Sequence, residues 1–175
     1  MGSSVVKAVM VSGSCFGVGK TTLLYKHLTG NTVGTFPTTG FNHEVFTYKG
    51  TQFDIYDVGA DDVTLHRFWD SYFADANCII YVVDASNQDY IFEEREELHK
   101  WILSNARLRT LPLLILSNKH DLPNCRTEQQ ILTNLGLDAN SKSALRWHFQ
   151  ETSGVTGAGI AEGLDWLISV LINNS

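Results

Sequence analysis

The sequence predicts an α/β fold in which helices cover both faces of a mostly parallel, six-stranded sheet. Short apolar segments alternate with helix-like segments along almost the whole chain, as in repeated strand–helix–strand units. Two of these segments, residues 77–84 and 111–116, are apolar almost throughout, which is typical of strands buried on both faces. In such a sheet, ligands bind at the carboxyl ends of the strands.

Four of the six predicted strands lie in the first half of the chain. They are residues 5–11, 44–48, 52–58 and 77–84. A glycine-rich turn follows the first strand and leads into a helix over about residues 20–28. The second and third strands flank Lys49-Gly50, so we expect them to form a hairpin.

The second half of the chain begins with an amphipathic helix over residues 90–103. Its charged stretch, "EEREELHK", is interpreted as a solvent-exposed face. Thr127 is a candidate N-cap for a later helix that ends near Gly136. The other predicted elements are strands at 111–116 and 146–150 and a closing helix at 159–172.

Composition predicts one globular domain over residues 1–175. Hydrophobic residues make up 43% of the 175 residues and charged residues 18%, and the net charge is −6, which argues against nucleic-acid binding. An odd number of cysteines, three, favours free thiols in a reducing compartment. No apolar run approaches the roughly 20 residues needed to cross a bilayer. We therefore expect a cytoplasmic monomer, and peripheral contact with endomembranes stays open.

The turn after the first strand resembles a phosphate-binding loop, whose pattern is G-x-x-x-x-G-K-[ST]. The residues in question are Ser14, Cys15, Phe16, Gly17, Val18, Gly19, Lys20, Thr21 and Thr22. Glycines let backbone N–H groups approach phosphate oxygens, and the following helix adds its positive dipole end. Lys20 would carry charge to the outer phosphates, and Thr21 would supply a ligand to Mg²⁺. Ser14 replaces the first glycine, and a flexible strand–helix turn is the alternative.

A second candidate site, Asn118-Lys119-His120-Asp121, follows the buried strand at 111–116. A carboxylate at Asp121 can accept two parallel hydrogen bonds from the N1–H and the amino group of guanine, which adenine cannot donate. The Lys119 stem can cover the base, and Asn118 can tie neighbouring loops together. Alone, the motif is most often a polar turn; after a phosphate loop it predicts a guanine pocket.

Residues 56–62, "YDVGADD", place three aspartates around one glycine at the end of a strand. The stretch alone is compatible with a metal site, with a pair of catalytic carboxylates or with an acidic turn. The rest of the chain has to decide between these interpretations.

Taken together, the chain resembles small GTPases of the Arf and Arf-like family over about residues 5–171. The stretches that carry the resemblance are "GKTTLL" at 19–24, "PTTGFN" at 37–42, "NKHDLPN" at 118–124 and "EGLDWL" at 162–167. The resemblance implies the three-layer P-loop NTPase fold of small GTPases. It also implies a switch that binds GTP and GDP with Mg²⁺ and serves membrane traffic or ciliary and cytoskeletal processes.

The resemblance also assigns roles to individual residues. Thr38 would bind Mg²⁺, sense the γ-phosphate and act in catalysis with Lys20, while Asp57 would hold the ion through water. Gly59 and Ala60 would line the γ-phosphate, and the last base-contacting loop maps onto Ser153, Gly154 and Val155.

Protein partners are implied as well. An effector surface maps onto Phe41, Tyr56 and Tyr72, although ordinary core packing is an equal alternative for Tyr72. The resemblance leaves room for an exchange factor and an activating protein without indicating which.

The sequence departs from the family at the site of hydrolysis. Where the family has Asp-Val-Gly-Gly-Gln, this chain has Ala60 and Asp61 in place of the second glycine and the water-orienting glutamine. No glutamine lies between Gln52 and Gln88. An anionic Asp61 would repel the developing charge and cannot donate a hydrogen bond. Phe16 is a bulky ring in a loop that usually carries small or acidic residues.

Two functions are compatible with the matches to the family and the departures from it. The first is a guanine-nucleotide switch with very slow intrinsic hydrolysis, in which Asp61 marks a degenerate catalytic position. The second is a non-catalytic, nucleotide-binding scaffold. A P-loop kinase is disfavoured because the base motif fits guanine and the chain lacks an arginine-rich lid.

Overall fold

A computed structural model of the protein describes residues 4–13, 17–30, 40–59, 69–137 and 145–172. Six strands form one sheet: β1 (Val5–Val11), β2 (Phe41–Tyr48), β3 (Thr51–Val58), β4 (Cys78–Asp84), β5 (Leu113–Asn118) and β6 (Trp147–Glu151). Their spatial order is β2-β3-β1-β4-β5-β6. The β2–β3 hairpin is antiparallel, and all other neighbours are parallel.

Helices connect the parallel strands. The α-helices are α1 (Lys20–Thr29), α2 (Trp69–Phe73), α3 (Ile91–Glu97), α4 (Glu128–Leu135) and α5 (Ile160–Leu171). Helix α3 continues into a π-helical turn over Leu98–Leu103, and a short 3₁₀ helix follows at Leu108–Thr110. As expected, Thr127 begins α4, where its side chain and that of Gln130 form a reciprocal capping box, and Gly136 ends it.

Each face of the sheet buries its own apolar cluster. Alternation along β1 sends Val9 and Val11 to one face and Ala8 and Met10 to the other. The first face packs against α3 and its extension and α4, through Leu98, Ile102, Ile131 and Leu135. The second packs against α1 and α5, through Leu23, Leu24, Ile160, Leu164 and Leu167. The predicted three-layer α/β fold is confirmed.

The strand register brings polar residues together at one edge of the sheet. Asp84, the last residue of β4, lies opposite Asn118, the last residue of β5. Asp57 near the end of β3 lies opposite Met10 near the end of β1. Because these strands are parallel, the phosphate loop, Asp57 and the Asn118 motif all lie at their carboxyl ends.

One prediction about the fold is wrong. The segment predicted at residues 90–103 forms one continuous helical stretch over 91–103, but its charges are not all solvent-exposed, because Glu94 is only 1% exposed. The Glu94 carboxylate is ion-paired with Arg126, which precedes the Thr127 cap. Helical periodicity alone cannot separate a paired, buried glutamate from the exposed glutamates beside it.

Within the described ranges, no helix combines the length and the apolar composition needed to cross a bilayer.

Candidate functional site

The described part of the phosphate loop has the backbone that close approach to an anion requires. Gly17 and Gly19 have positive φ angles of 72° and 93°. A Cβ on Gly19 would lie 2.3 Å from Asn118 Nδ2, so only glycine fits there. Ser14, Cys15 and Phe16 lie outside the described residues.

Lys20 begins α1 and is largely buried, with 8% of its surface exposed. Its Nζ donates a 2.9 Å hydrogen bond to Ser12 Oγ at the end of β1. The ammonium group is therefore held over the carboxyl edge of the sheet, beside the N-terminus of α1, where an anion is favoured.

Thr21 and Asp57 meet between α1 and β3. The Thr21 hydroxyl donates to Asp57 Oδ2. A hydroxyl that donates its proton in this way can still bind a hard cation through its oxygen. The second Asp57 oxygen, Oδ1, is buried and has no hydrogen-bond partner within the described ranges. The two side chains thus offer the oxygen ligands that Mg²⁺ prefers.

Asp57 is 0% exposed, and this burial raises the pKa of its carboxyl group. The charge of Lys20 and the Thr21 hydroxyl oppose the shift. Because the folded-state pKa lies above the unfolded value, ionisation of Asp57 costs stability, and that cost grows as pH rises from the ordinary aspartate range through the raised value. A divalent cation would remove the cost by neutralising the carboxylate.

Replacing Asp57 by asparagine should therefore stabilise the protein when nucleotide and metal are removed. We expect a gain on the order of 1 kcal/mol at neutral pH, which shrinks on acidification as the wild-type carboxylate is protonated. Urea unfolding of both proteins across pH, after nucleotide removal with EDTA and phosphatase, measures this difference.

Asp75→Asn is the matched control, because Asp75 is 84% exposed and lies at the opposite edge of the sheet. Its effect should stay within about 0.5 kcal/mol. With excess GDP and Mg²⁺, the order of the free energies of unfolding should reverse, so that wild type is more stable than Asp57→Asn. A metal-free Asp57→Asn protein that is less stable than wild type would contradict this account of the buried carboxylate.

Asn118 joins three loops of the site. Its Nδ2 donates to the Val18 carbonyl at 2.8 Å, and its Oδ1 accepts from the Gly154 N–H at 3.1 Å. Thr152 Oγ1 lies 3.4 Å from the same oxygen. The side chain is 2% exposed, so these bonds are shielded from water. Asn118 belongs to the predicted base loop, the stretch that begins with Asn118-Lys119-His120-Asp121. Its side chain thereby fixes the phosphate loop relative to this base loop and to the last loop at Gly154, as expected of Asn118.

Lys119 and Asp121 follow Asn118 and each have one close partner. Lys119 has a positive φ of 72°, and its Nζ lies 2.6 Å from Asp84 Oδ2. Asp121 is exposed, and its Oδ1 accepts a 2.6 Å bond from Ser153 Oγ. This bond fixes the orientation of the Asp121 carboxylate but does not involve its other oxygen, Oδ2. Both side chains are therefore oriented at the same edge as the phosphate loop.

The last predicted loop of the site contains Ser153, Gly154 and Val155. Ser153 Oγ accepts from the Val155 N–H at 3.2 Å, and Val155 itself is 55% exposed. A Cβ on Gly154 would lie 3.1 Å from Thr22 Cγ2, so this loop packs closely on α1. The N–H of Gly154, in the loop predicted to contact the base, donates to Asn118 Oδ1.

Only part of the γ-phosphate region belongs to the described residues. The Gly59 N–H donates to the Gly40 carbonyl at 2.8 Å, which joins the end of β3 to the start of β2. Thr38, Ala60 and Asp61 lie outside the described residues, so their predicted roles stay predictions.

The three aromatic residues of the predicted effector surface lie together. Phe41 is 5.0 Å from Tyr72 and 6.0 Å from Tyr56, and Tyr56 is 5.8 Å from Tyr72, between ring centroids. His43 stacks on Tyr56 at 4.4 Å. The rings of Phe41, Tyr56 and Tyr72 border a cavity of about 350 Å³, and Phe41 is 46% exposed. Tyr72 is partly buried and packs against the core, as the core-packing alternative expects, and its place in an effector surface stays a prediction.

Several residues of this site were not predicted. Asp84 pairs with Lys119, Ser12 binds Lys20, and Thr152 contacts Asn118. Asp84 could have been found, because it ends a buried strand of the same parallel sheet and must share an edge with Asn118. No comparable signal marks Ser12 or Thr152.

Comparison with known proteins identifies relatives of this arrangement. A sequence model of the ADP-ribosylation factor family matches residues 7–171. Among solved structures, the protein is similar to the Arl6 BBS3 small GTPase from Trypanosoma brucei with the bound nucleotide analogue GppNp. That match has a TM-score of 0.83 and 22% sequence identity, and covers 98% of this chain and 100% of the other. The shared architecture confirms the predicted small-GTPase fold.

Proposed function

Because this chain belongs to the ADP-ribosylation factor family, we propose that it is a guanine-nucleotide switch that binds GTP and GDP with Mg²⁺ and hydrolyses GTP very slowly. The observation that carries the proposal is Asn118, which holds Val18 of the phosphate loop and Gly154 of the last loop with one buried side chain. Two loops of different chemistry, one suited to phosphate and one to a base, are thereby held together by one side chain, as the binding of a single nucleotide by both loops would require.

Phosphate binding is supported by the loop from Gly17 to Lys20. Its positive-φ glycines, the buried ammonium of Lys20 and the N-terminus of α1 together favour an anion. Net charge does not oppose this, because the site acts through local N–H groups and one lysine.

Guanine selection is supported by Asp121 and Lys119. Ser153 holds one Asp121 oxygen and Asp84 holds the Lys119 ammonium, so neither side chain has to be ordered when the base arrives. The exposed Asp121 carboxylate has acceptor capacity for both donors on the guanine edge.

Magnesium binding is supported by Thr21 and Asp57. The unpartnered, buried Asp57 Oδ1 is unfavourable in the protein alone and would be satisfied by a cation or by a water bound to it. Thr21 would bind the ion directly, Asp57 through water, and Thr38 would complete the protein ligands. When bound, the ion would neutralise charge on the terminal phosphates.

Slow hydrolysis is inferred from the sequence, at Ala60 and Asp61. The carboxylate at position 61 is acceptor-only and negative where a neutral amide would orient water. Loss of one such positioning or charge-stabilising group typically costs a hundredfold or more in rate, of order 10²–10³.

Effector binding is supported by the cluster of Phe41, Tyr56 and Tyr72. Clustered aromatic rings with one half-exposed member are typical of interaction surfaces. Because Phe41 begins β2 and Tyr56 lies on β3, nucleotide-dependent changes near Gly40 and Gly59 would reach this surface directly. The pathway it serves, in membrane traffic or at cilia and the cytoskeleton, is proposed from the family alone.

The nucleotide bound to the purified protein tests the proposal. After denaturation, ion-exchange chromatography should recover guanine nucleotide at about one molecule per chain. Release of a fluorescent GDP analogue should accelerate at least about tenfold when EDTA removes Mg²⁺, because the phosphates lose their counter-charge.

Lys20→Met should lose the nucleotide while keeping the fold, and Lys26→Met, on the same helix, should retain it. Failure of the wild type to bind GDP even with excess nucleotide and Mg²⁺ would exclude the switch. Such a result would leave a protein-interaction scaffold that binds nucleotide too weakly to detect, which Ala60 and Asp61 also permit.

A further inference from the structure

A buried ion pair lies behind the predicted base loop and has no assigned role. Arg126 Nη1 donates to Glu94 Oε2 at 2.9 Å, and Arg126 Nη2 donates to Glu94 Oε1 at 3.0 Å. The two side chains are 3% and 2% exposed. The geometry is the parallel, two-bond arrangement of a guanidinium and a carboxylate.

Arg126 fixes the end of β4 through two further bonds. Its Nη2 donates to the Asp84 carbonyl at 2.7 Å, and its backbone N–H donates to the Ala85 carbonyl at 2.8 Å. The Ala85 N–H in turn donates to the Asn118 carbonyl at 2.9 Å. Because Arg126 directly follows residues 118–125, these bonds close the base loop against the strand whose Asp84 carboxylate holds Lys119.

Glu94 connects the same pair to the start of the phosphate loop. The Tyr81 hydroxyl donates to the Glu94 carbonyl at 2.7 Å. A Cβ on Gly13 would lie 2.6 Å from Glu94 Cα and 3.1 Å from the Tyr81 hydroxyl oxygen. The backbone of α3 at Glu94 therefore lies directly against Gly13, the residue that precedes the phosphate loop, while the Glu94 carboxylate holds Arg126.

Stability alone does not account for this pair. Burying two charges costs desolvation energy, and apolar residues of similar volume often serve a core equally well. Arg126 Nε adds to the cost, since it is buried without a hydrogen-bond partner among the described residues. The bonds that apolar replacements could not reproduce are those to Glu94 and to the Asp84 carbonyl, which set the position of the base loop.

We propose that Glu94 and Arg126 are positioning residues for guanine recognition. They hold the loop of Lys119 and Asp121 in register with β4 and with the phosphate loop. This inference rests on the proposed nucleotide binding, and it predicts that discrimination between purine bases depends on a pair of side chains that lie behind the base loop.

The test replaces both charges in the double variant Glu94→Leu/Arg126→Met and measures dissociation constants for GDP and inosine diphosphate with Mg²⁺. Inosine diphosphate lacks the amino group from which Asp121 would accept a hydrogen bond. The ratio of the two dissociation constants therefore reports the placement of Asp121. Wild type should prefer GDP at least about tenfold, the value of one lost hydrogen bond to a charged group. In the double variant, the preference for GDP, expressed as the ratio of the two dissociation constants, should be at least about fivefold smaller than in wild type.

Urea unfolding of the nucleotide-free proteins separates positioning from folding. The double variant should keep a free energy of unfolding close to that of wild type, because no buried charge is left unpaired. Arg126→Lys, which keeps the charge but not the two-bond fork, should show an intermediate loss of base preference. The control Glu96→Leu/Lys100→Met replaces one carboxylate and one cation by the same two apolar residues, at exposed positions of the helical segment that contains Glu94, and should leave the preference unchanged.

Three results would overturn the inference. One is wild-type base preference in the double variant. Another is an equal loss of affinity for both nucleotides that parallels a loss of stability, which would make the pair structural only. If wild type itself binds neither nucleotide, the proposed function fails with it, and that outcome is visible before any variant is made.

Discussion

Replacing Asp121 by asparagine is expected to change the preferred base from guanine to xanthine. Guanine offers an N1–H and an amino group, and a carboxylate accepts both. An asparagine accepts from N1–H through its oxygen but offers an amide donor where the guanine amino group also donates. Xanthine carries a carbonyl at that position, which the amide can satisfy. The substitution therefore replaces one matched pair of hydrogen bonds by another.

The expected magnitude follows from the lost bonds. Hydrogen bonds to charged groups contribute about 1.5–3 kcal/mol each, so GDP affinity should fall by roughly 10²–10⁴ while affinity for xanthosine diphosphate rises. The loop itself should survive, because asparagine Oδ1 can still accept the bond that Ser153 Oγ donates to Asp121. Equilibrium titration of both nucleotides with Mg²⁺ measures the exchange of preference.

Asp75→Asn again serves as the control, since it changes the same chemical group at the far edge of the sheet. It should leave both affinities unchanged. Tight GDP binding by Asp121→Asn would mean that another group reads the base.

The second large effect is expected at the hydrolysis site. Ala60→Gly combined with Asp61→Gln should accelerate single-turnover GTP hydrolysis by roughly 10–10³-fold over wild type. Glycine at 60 restores backbone freedom next to the γ-phosphate, and glutamine at 61 removes a negative charge while supplying an amide that can orient water. Phe16 remains in place, so the rate need not reach that of an unaltered switch.

A second double variant, with the same two kinds of substitution, controls for the removal of one negative charge. Ala60→Gly combined with Asp62→Gln alters the neighbouring aspartate and should accelerate hydrolysis little. Similar acceleration by both double variants would show that local charge, and not the group at position 61, limits the rate.

The sequence predicted the sheet and the location of the site because both depend on local patterns. Alternating apolar strands and helices imply parallel pairing, and parallel strands bring residues such as Asp57 and Asn118 to one edge. The two loop motifs then indicated the expected roles of Lys20, Thr21 and Asp121, and the family resemblance supplied those of Thr38 and Asp57.

What the sequence could not supply are contacts between residues distant along the chain. Glu94 stands among similar glutamates, and its partner Arg126 lies 32 positions away, so nothing in either stretch indicates the pair. The bond between Lys119 and Asp84 depends on the conformations of two side chains, one at the end of β4 and one just after β5. The aromatic cluster could be predicted only in part. Its residues were predicted, but their mutual packing depends on the β2–β3 register and on α2.

Single-turnover hydrolysis by wild-type protein loaded with γ-labelled GTP tests the central claim most directly, because the same sample reports binding and chemistry. The account predicts that the protein retains about one GTP per chain with Mg²⁺ and releases phosphate far more slowly than Ala60→Gly/Asp61→Gln. Phosphate release by wild type at the rate of that double variant, or no retained GTP at all, would contradict it.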